Sequence, residues 1–428
     1  MINLNSNQKE ILDKGLKVFS IRVLGYGFGF LFTWILANKF GAKVQGVFSI
    51  AFLFLSIGAM VAKLGVETSL VKWIASTTLV AQKKIIYFKS LKLILISSFI
   101  VSAIVFLLAP MIASMYNKPD VELSIKIAAL AIPFLSILDI SGSFFKGEKK
   151  TNTFGVYFHL LKFLIPFILL AAFYLLSYTL IEAPIIAYLI GLFITSTIIF
   201  THILTTLGKG GTAKNKEFSF RYVILESYPM MISSAIVMIM GWSDVFILGF
   251  YVSEEKIGVY STAIKLATLV AFVYNAIATI LTPKIASFYY NNQLKELKET
   301  VAFSAKAMFI CGIPIFVFIF IFSEYLLGLF GQEYVIGKNV LRILLIAQLT
   351  NVLTGAVGPM MQMTGKQKKL QNFILISLIF NIILSLVLVN FYGLEGVAIA
   401  SAFGMILWNI LGAYYIFKTM KIKTWIKF

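Results

Sequence analysis

The chain of 428 residues has few of the residues on which soluble enzymes and secreted modules depend. It contains one cysteine, two histidines and only 18 acidic residues. A single cysteine cannot form an internal disulfide, and with two histidines it is too little for a dense metal cluster. Charged residues make up 13% of the chain, against about 25% in soluble domains. A soluble enzyme, a secreted module and a disordered chain are therefore excluded.

Apolar residues are abundant instead, at 60% of the chain. A membrane-spanning helix takes about 20 mainly apolar residues, so this composition fills about a dozen spans. Polar breaks between the apolar runs predict twelve helices and an all-α integral membrane protein. The helices are predicted near residues 11–36, 44–66, 91–115, 123–145, 153–176, 180–207, 221–250, 257–282, 301–323, 336–363, 370–391 and 394–417.

Basic residues outnumber acidic ones by 37 to 18, and their distribution predicts the orientation of the chain. If the spans alternate as predicted, 27 Lys and Arg residues lie on the side of the two termini, 7 lie on the other side and 3 lie deeper in helices. Cytoplasmic loops of membrane proteins are rich in Lys and Arg. The chain is therefore expected in the cell inner (cytoplasmic) membrane, multi-pass, with both termini in the cytoplasm.

An internal repeat divides the sequence into two halves of one plan. Gly46-Val-Phe-Ser and Gly258-Val-Tyr-Ser are 212 positions apart, and the segments ending at Gly191 and Gly404 are offset by 213. Six helices is an even number, so the two halves have the same orientation. We expect six-helix bundles at 1–208 and 221–428, joined by a cytoplasmic linker at 209–220, around a central cleft that allows alternating access.

The sharpest motifs lie in the seventh and eighth predicted helices. Asp244 opens the run Asp-Val-Phe-Ile-Leu-Gly, the segment 257–261 reads Ile-Gly-Val-Tyr-Ser, and Pro283 ends the eighth helix. Segment 40–49 and the Leu-Gly-Val-Glu of 64–67 echo them in the first half. These motifs resemble the Wzx-like polysaccharide-biosynthesis flippases of the multidrug/oligosaccharidyl-lipid/polysaccharide exporter superfamily.

The resemblance implies a MATE-like fold and a transport function. It implies movement of oligosaccharide units linked to undecaprenyl diphosphate from the inner to the outer leaflet, for O-antigen, capsule or a similar polymer. The expected partners are the lipid-linked oligosaccharide and membrane lipids, and a polysaccharide polymerase and chain-length machinery are further candidates. We expect no nucleic acid and no cofactor. Relatives that flip the peptidoglycan precursor usually carry two further helices, which places that substrate in doubt here.

Ionisable residues within apolar spans are the candidate functional residues, because such groups are costly in lipid and usually face a cavity. A diphosphate headgroup requires cations, and Arg can contact phosphate through two N–H donors. We therefore predict Arg22, Lys265, Lys162 and Lys63 as substrate-binding residues, with Arg22 and Lys265 on the diphosphate. The predicted gating or ion-coupling residues are Asp244, Asp139 and His159.

Each of these residues also has a structural interpretation. Arg22 would extend to the cytoplasmic interface, Lys63 would pair with Glu67 one turn away, and Lys162 would pair with Asp139. His159 would be a hydrogen-bonded packing residue.

Two competing functions remain open at this stage. A drug/cation antiporter of the same superfamily would have acidic residues dominating its cleft. A membrane glycan polymerase or glycosyltransferase would need a large outer loop with acid/base residues, whereas the predicted outer loops are short. The sequence has no Gly-x-x-x-x-Gly-Lys-Ser/Thr loop for ATP, so its energy source is expected to be an ion gradient or the membrane potential.

Overall fold

A computed structural model of the chain describes residues 6–208 and 218–426, with side chains described from Ser20 onward. These residues form helices and short connections, with no strand among them. The helices are α1 Ser6–Ile35, α2 Gly41–Lys63, α3 Val66–Ser76, α4 Val80–Tyr116, α5 Val121–Gly147, α6 Thr151–Gly155, α7 Lys162–Leu175, α8 Ala183–Leu207, α9 Phe220–Tyr251, α10 Glu254–Tyr290, α11 Leu294–Ile321, α12 Ser323–Gly328, α13 Lys338–Thr354, α14 Val357–Met363 and α15 Gln367–Met420. Two π-helical segments, Leu36–Phe40 and Val156–Leu161, and a 3-10 turn, Gln332–Gly337, join some of them.

Ten helical stretches in the described part of the chain are long and apolar enough to cross a membrane. Two of them, Ser20–Lys63 with 44 residues and Gln367–Met420 with 54, would be about 66 and 81 Å long if straight. The hydrocarbon core of a bilayer is only about 30 Å thick. Each contains one glycine with positive φ, Gly41 (+88°) and Gly393 (+54°). With two crossings in each, these described stretches account for all twelve predicted spans.

The break at Gly393 reverses the chain. The backbone there has φ 54° and ψ −124°, which is outside the range of L-residues and requires glycine. A side chain on Gly396 would overlap the carbonyl of Leu388, although residues eight apart in a continuous helix are about 12 Å apart. The rings of Phe380 and Phe403 also approach to 6.2 Å. The two halves of α15 therefore form an antiparallel hairpin.

Several helices are longer or more broken than predicted. The helix α4 begins at Val80 instead of residue 91, because its first turns are too polar to be recognised as a span but still form a helix outside the apolar region. The predicted helix 336–363 is divided at Gly355, which has a positive φ of 69°. The amphipathic α3 was not predicted.

The described residues form two compact units. Among them, residues 6–40, 47–208 and 218–238 belong to the first unit, and residues 41–46 and 239–426 belong to the second. The predicted linker at 209–220 lies mostly outside the described residues, and the predicted division there stays a prediction.

The core of the first unit is built by α2 to α5 and α8, whose facing side chains include the fully buried Leu55, Leu70, Ile132 and Leu192. Two serine hydroxyls inside this core donate to helix carbonyls, that of Ser102 to Ala129 and that of Ser136 to Ile132. Polar residues are thus compatible with this interior as long as the backbone accepts their hydrogen bonds.

The two glycines matched by the internal repeat meet in one crossing of the second unit. A side chain on Gly46 would overlap the carbonyl of Glu254, and one on Gly258 would overlap the carbonyl of Ala42. The Glu333 carboxylate accepts a 2.6 Å hydrogen bond from the Ala42 N–H at the start of α2. The first turns of α2 are therefore held in the second unit by backbone contact and by a capping carboxylate.

Each unit contains a similar helical hairpin. In the first, Gly191 of α8 packs on Pro166 of α7, and in the second, Gly404 packs on Asn381 within α15. Gly191 and Gly404 are the pair matched by the sequence repeat at an offset of 213. The shared packing supports the internal repeat.

Candidate functional site

An ion pair inside the first unit joins α2 to α5. The Lys63 ammonium lies 2.5 Å from Oδ2 of Asp139, and their side chains are only 12% and 11% exposed. Two charges so far from water require compensation from each other. The other carboxylate oxygen of Asp139 is buried and has no hydrogen-bond partner among the described residues. Only one of the two carboxylate oxygens of Asp139 therefore has a partner among the described residues.

Further cations surround this pair. Asp139 interacts electrostatically with Lys162 of α7 and Lys146 at the end of α5 as well as with Lys63. Glu67 of α3 interacts with Lys63, Lys146 and Asp139. His159 interacts with Arg22 of α1, Lys146 and Lys162. We call this set the cationic cluster: Arg22, Lys63, Glu67, Asp139, Lys146, His159 and Lys162.

Aromatic rings form one side of the cationic cluster. The Lys162 ammonium lies 4.7 Å from the ring centre of Phe158, and the Lys146 ammonium lies 4.1 Å from that of Phe154. The ring of His159 meets both phenylalanines edge to face, at 5.4 and 5.3 Å. Ring faces stabilise nearby cations without neutralising their charge, so these lysines remain available to an anion.

A close helix approach brings Arg22 to this cluster. Gly25 and Gly29 lie on the face of α1 that packs on the π-helical segment and α7. A side chain on Gly25 would overlap the carbonyl of His159, and one on Gly29 would lie 3.2 Å from the ring of Phe163. Arg22 is three residues before Gly25, so it shares this face. The spacing is the Gly-x-x-x-Gly pattern of closely packed membrane helices.

Glu67 is the acidic group of the cluster that lies outside the membrane-spanning stretches. Burial raises the pKa of its carboxyl above the ordinary range, although the nearby Lys63 opposes this shift. Oε2 of Glu67 is buried without a hydrogen-bond partner among the described residues. Its charge is therefore sensitive to what else binds in the cluster.

The second unit holds a different arrangement around the buried Asp244 of α9. The Tyr260 hydroxyl donates to Oδ2 at 2.6 Å, and the Ser401 hydroxyl lies 2.8 and 2.6 Å from the two carboxylate oxygens. The amide of Asn381 donates to Ser401 at 3.1 Å and accepts from Ser243 at 3.0 Å. All four partners are uncharged. We call this set the Asp244 cage.

Lys265 lies in α10, 11 residues after Glu254 and therefore about 16 Å along the helix. It is half-buried. Its ammonium has no hydrogen bond or ion pair to the described residues. A cation at this depth without a protein partner is costly, and such a position is typical of a residue that binds an anionic ligand.

The structure thus groups the predicted residues in two places. Arg22, Lys63, Asp139, His159 and Lys162 meet in the first unit, whereas Asp244 and Lys265 belong to the second. The Lys63 ammonium binds Asp139 directly, in addition to its weaker interaction with the expected partner Glu67. Lys146 was missed as a member because it was assigned to a loop.

The missed partners of Asp244 are Tyr260, Ser401 and Asn381. Tyr260 stands in the Gly-Val-Tyr-Ser motif, and the Gly-x-x-x-Gly pattern of α1 was also present in the sequence. Both patterns can be recognised from the sequence alone.

Comparison with known proteins identifies a family from the sequence and a known fold from solved structures. The family model described as "Polysaccharide biosynthesis protein" matches residues 11–289, more than half of the chain, and the MatE model matches residues 229–387. The "Probable low-salt glycan biosynthesis flippase Agl15" of Haloferax volcanii is 26% identical over 420 residues, covering 97% of this chain and 85% of that protein.

Solved structures with the same fold include a multidrug transporter and a lipid flippase. An inward-facing multidrug resistance MATE family transporter of the MOP superfamily has a TM-score of 0.75 and 17% identity, covering 95% of this chain and 98% of that one. The inward closed conformation of the lipid II flippase MurJ has a TM-score of 0.74 and 17% identity, covering 94% and 86%. At this identity the likeness shows the fold, and the twelve-helix MATE-like architecture is confirmed.

Proposed function

Because the chain belongs to the polysaccharide biosynthesis protein family, we propose that it translocates polyprenyl-diphosphate-linked oligosaccharide units from the inner to the outer leaflet. The protein is a transporter rather than an enzyme. The names of its relatives, a glycan biosynthesis flippase and a lipid II flippase, support a lipid-linked sugar as substrate. The observation that carries the proposal is the surplus of positive charge in the cationic cluster.

The cationic cluster has the chemistry that an anionic headgroup requires. It holds four basic residues and two acidic ones, with His159 neutral at pH 7. Arg22, Lys63 and Lys162 are half-buried, in surroundings where a charge pair is stabilised more strongly than in water. The two carboxylates of the cluster neutralise only two of its four cations. A bound diphosphate would neutralise the other two. We propose Arg22, Lys63 and Lys162 as substrate ligands, with Lys146 added by the structure.

The second unit supplies the other proposed functional residues. Lys265 is proposed as a further ligand of the diphosphate, because its ammonium lacks a partner among the described residues. Asp244 is proposed to couple transport to an ion or proton, with Asp139 and His159 as the alternatives in the first unit. An inside-negative potential also favours outward movement of an anionic headgroup, by about 2.3 kcal/mol per charge per 100 mV.

The placement of the transporter in the cell is part of the same proposal. The distribution of Lys and Arg supports a cytoplasmic membrane location with both termini in the cytoplasm. O-antigen or capsule units are the proposed cargo, and a polysaccharide polymerase with its chain-length machinery are proposed partners.

A drug/cation antiporter is the second candidate function. The MatE match at 229–387 and the MATE structural neighbour favour it. The Asp244 cage also offers a buried carboxylate to a cation. However, the first unit presents more basic than acidic groups, and these groups repel a cationic drug. The observation therefore favours the anionic cargo.

Reconstitution into proteoliposomes tests the proposal directly. The protein is inserted into vesicles that contain a fluorescent prenyl-diphosphate-linked oligosaccharide, and movement between leaflets is followed with a membrane-impermeant quencher. We expect translocation by the wild-type chain and at least a tenfold slower rate for Lys162→Gln. Lys126→Gln is the matched control, because Lys126 pairs with Glu122 at the other end of α5 and should leave the rate unchanged. Absence of translocation, together with uptake of a cationic dye, would favour the antiporter.

A further inference from the structure

We propose that Asp139 and Glu67 set the net charge of the cationic cluster so that it selects a headgroup with two negative charges. The proposal rests on the proposed function, since it concerns the same site. It assigns to the two acids a role in choosing among phosphate-linked lipids, beyond supporting the fold. The selected class is a diphosphate esterified at both ends, with a prenyl chain on one side and a sugar on the other.

The charge count of the cluster is the first step of the argument. Its cations are Arg22, Lys63, Lys146 and Lys162, and its acids are Asp139 and Glu67. The charges form one electrically connected group, because Lys146 interacts with Arg22, Lys63 and both acids. With both acids ionised and His159 neutral, the formal net charge is four minus two, which is +2. Without the acids it would be +4.

The ligand side of the argument follows from phosphate chemistry. A sugar attached to a prenyl chain through one phosphate carries one negative charge, and through a diphosphate it carries two. A free prenyl diphosphate ends in an unesterified phosphate, whose second ionisation has a pKa of about 6, so it carries nearly three. These three lipids share a chain and differ in the charge that the cluster must accept.

A site in a poorly solvated environment favours the ligand whose charge matches its own. Attraction between ligand and site grows in proportion to the ligand charge. The cost of removing the ligand from water grows with the square of that charge in the Born description. The balance is best near neutrality of the complex, so a +2 site selects a ligand of −2 over ligands of −1 or −3.

The geometry of the acids also distinguishes this role from a structural one. A carboxylate that served only to hold helices together would have both oxygens hydrogen-bonded, as buried polar groups usually are. Oδ1 of Asp139 and Oε2 of Glu67 are instead buried with no hydrogen-bond partner among the described residues. His159 also leaves its Nε2 in this condition at the same site. The two carboxylate oxygens accept hydrogen bonds when ionised, so hydroxyl groups of the sugar would complete their contacts while the diphosphate contacts the surrounding cations.

Binding of three matched lipids to the purified full-length protein in nanodiscs tests the inference. The probes are a farnesyl phosphate sugar, the corresponding farnesyl diphosphate sugar and farnesyl diphosphate, all competed against one fluorescent ligand. We expect the wild type to bind the diphosphate sugar tightest. Asp139→Asn raises the site to +3 and should shift the Kd ratio about tenfold toward farnesyl diphosphate. Lys162→Gln lowers it to +1 and should shift the ratio about tenfold toward the monophosphate sugar.

The two variants separate charge selection from damage to the fold. A damaged site would lose affinity for all three lipids alike, whereas charge selection moves the preference in opposite directions. Glu67→Gln should repeat the shift of Asp139→Asn, and the control Lys126→Gln should show none. If the wild type binds none of the three lipids, the proposed function fails. If the wild type binds them but every variant keeps the same order of preference, the charge-matching inference is overturned and the proposed function stands.

Discussion

The ion pair between Lys63 and Asp139 predicts an asymmetric loss of stability when either partner is removed. With an effective dielectric constant of about 20, unit charges 2.5 Å apart attract by about 7 kcal/mol. Desolvation offsets part of this energy, and removing one partner of a buried pair typically costs about 3–5 kcal/mol. The two side chains are almost fully buried, so little of this range is lost to solvent screening.

The charged neighbours of the pair determine which of the two substitutions costs more stability. After Lys63→Met, Asp139 keeps its interactions with Lys162 and Lys146, so we expect a cost near 2 kcal/mol, below the typical range. After Asp139→Asn, the three lysines repel each other with only Glu67 to balance them, and the cost should reach about 4 kcal/mol. The double variant should cost less than the sum by about 2 kcal/mol, because it leaves no unpaired member of the pair.

Thermal unfolding of the detergent-solubilised protein measures this order. The apparent Tm is compared at a single scan rate, since unfolding of large membrane proteins is often irreversible. We expect Asp139→Asn to melt several degrees below Lys63→Met, and the double variant to melt close to Asp139→Asn instead of well below it. An Asp139→Asn protein as stable as Lys63→Met, or costs that simply add, would show that the surrounding lysines do not act on Asp139 as described.

Three further results are expected. Gly25→Ala should reduce the yield of folded protein recovered from membranes severalfold, because the added methyl would overlap the carbonyl of His159. Gly27→Ala is the control and should leave the yield unchanged, because no atom lies within 4 Å of the added methyl. Size-exclusion chromatography measures both yields. Asp244→Asn should slow translocation in proteoliposomes at least tenfold while the Tm changes little, since the amide oxygen still accepts from the cage; an unchanged rate would remove Asp244 from the mechanism. Glu67→Gln should raise the Tm at pH 7, because burial raises the pKa of Glu67 and so its charged form destabilises the fold above the ordinary value of 4.5. This difference should vanish as the pH falls below 4.5, and a constant difference at all pH values would contradict the assignment.

The twelve spans could be predicted because each is an apolar run that ends at polar residues or glycine. The boundary predicted between 391 and 394 coincides with the break at Gly393, where the chain reverses inside what is otherwise a continuous helix. The helix α3 was not predicted because its sequence contains no long apolar run. Its 11 residues, Val66–Ser76, are amphipathic and too short for a span, so hydropathy alone cannot identify them.

Five of the seven members of the cationic cluster could be predicted from the free-energy cost of placing an ionisable group in lipid, but their pairings could not. A charged residue in an apolar run indicates a functional position without any knowledge of the fold. The partner of Lys63 is Asp139, 76 positions later, and that choice depends on how α2 and α5 are rotated about their axes. Each residue advances 100° around a helix, so positions two residues apart lie on nearly opposite faces, and the residues that meet depend on the rotation of each helix. Lys146 was missed for a simpler reason, because the predicted helix ended at 145, two residues before the observed end at Gly147, which placed Lys146 in a loop.

The repeat also shows how one plan supports two different chemistries. Asp244 and Tyr260 correspond by the 212-residue offset to Phe32 and Phe48, and Ser401 corresponds by the 213-residue offset to Tyr188. These three aromatic residues do meet in the first unit, with ring centres 5.4 to 6.4 Å apart.

The same helix junction is therefore filled by aromatic rings in the first unit and by the Asp244 cage in the second. Conversely, Lys63 corresponds to the neutral Asn275, and Lys265 to Leu53, which is fully buried. The first unit therefore holds most of the basic residues among the candidate site residues, whereas the second unit holds Lys265 and a carboxylate lined by hydroxyl groups. Under the proposed function, the Asp244 cage would hold a coupling cation in the second unit, outside the cationic cluster, because like charges in one poorly solvated site would oppose each other's binding.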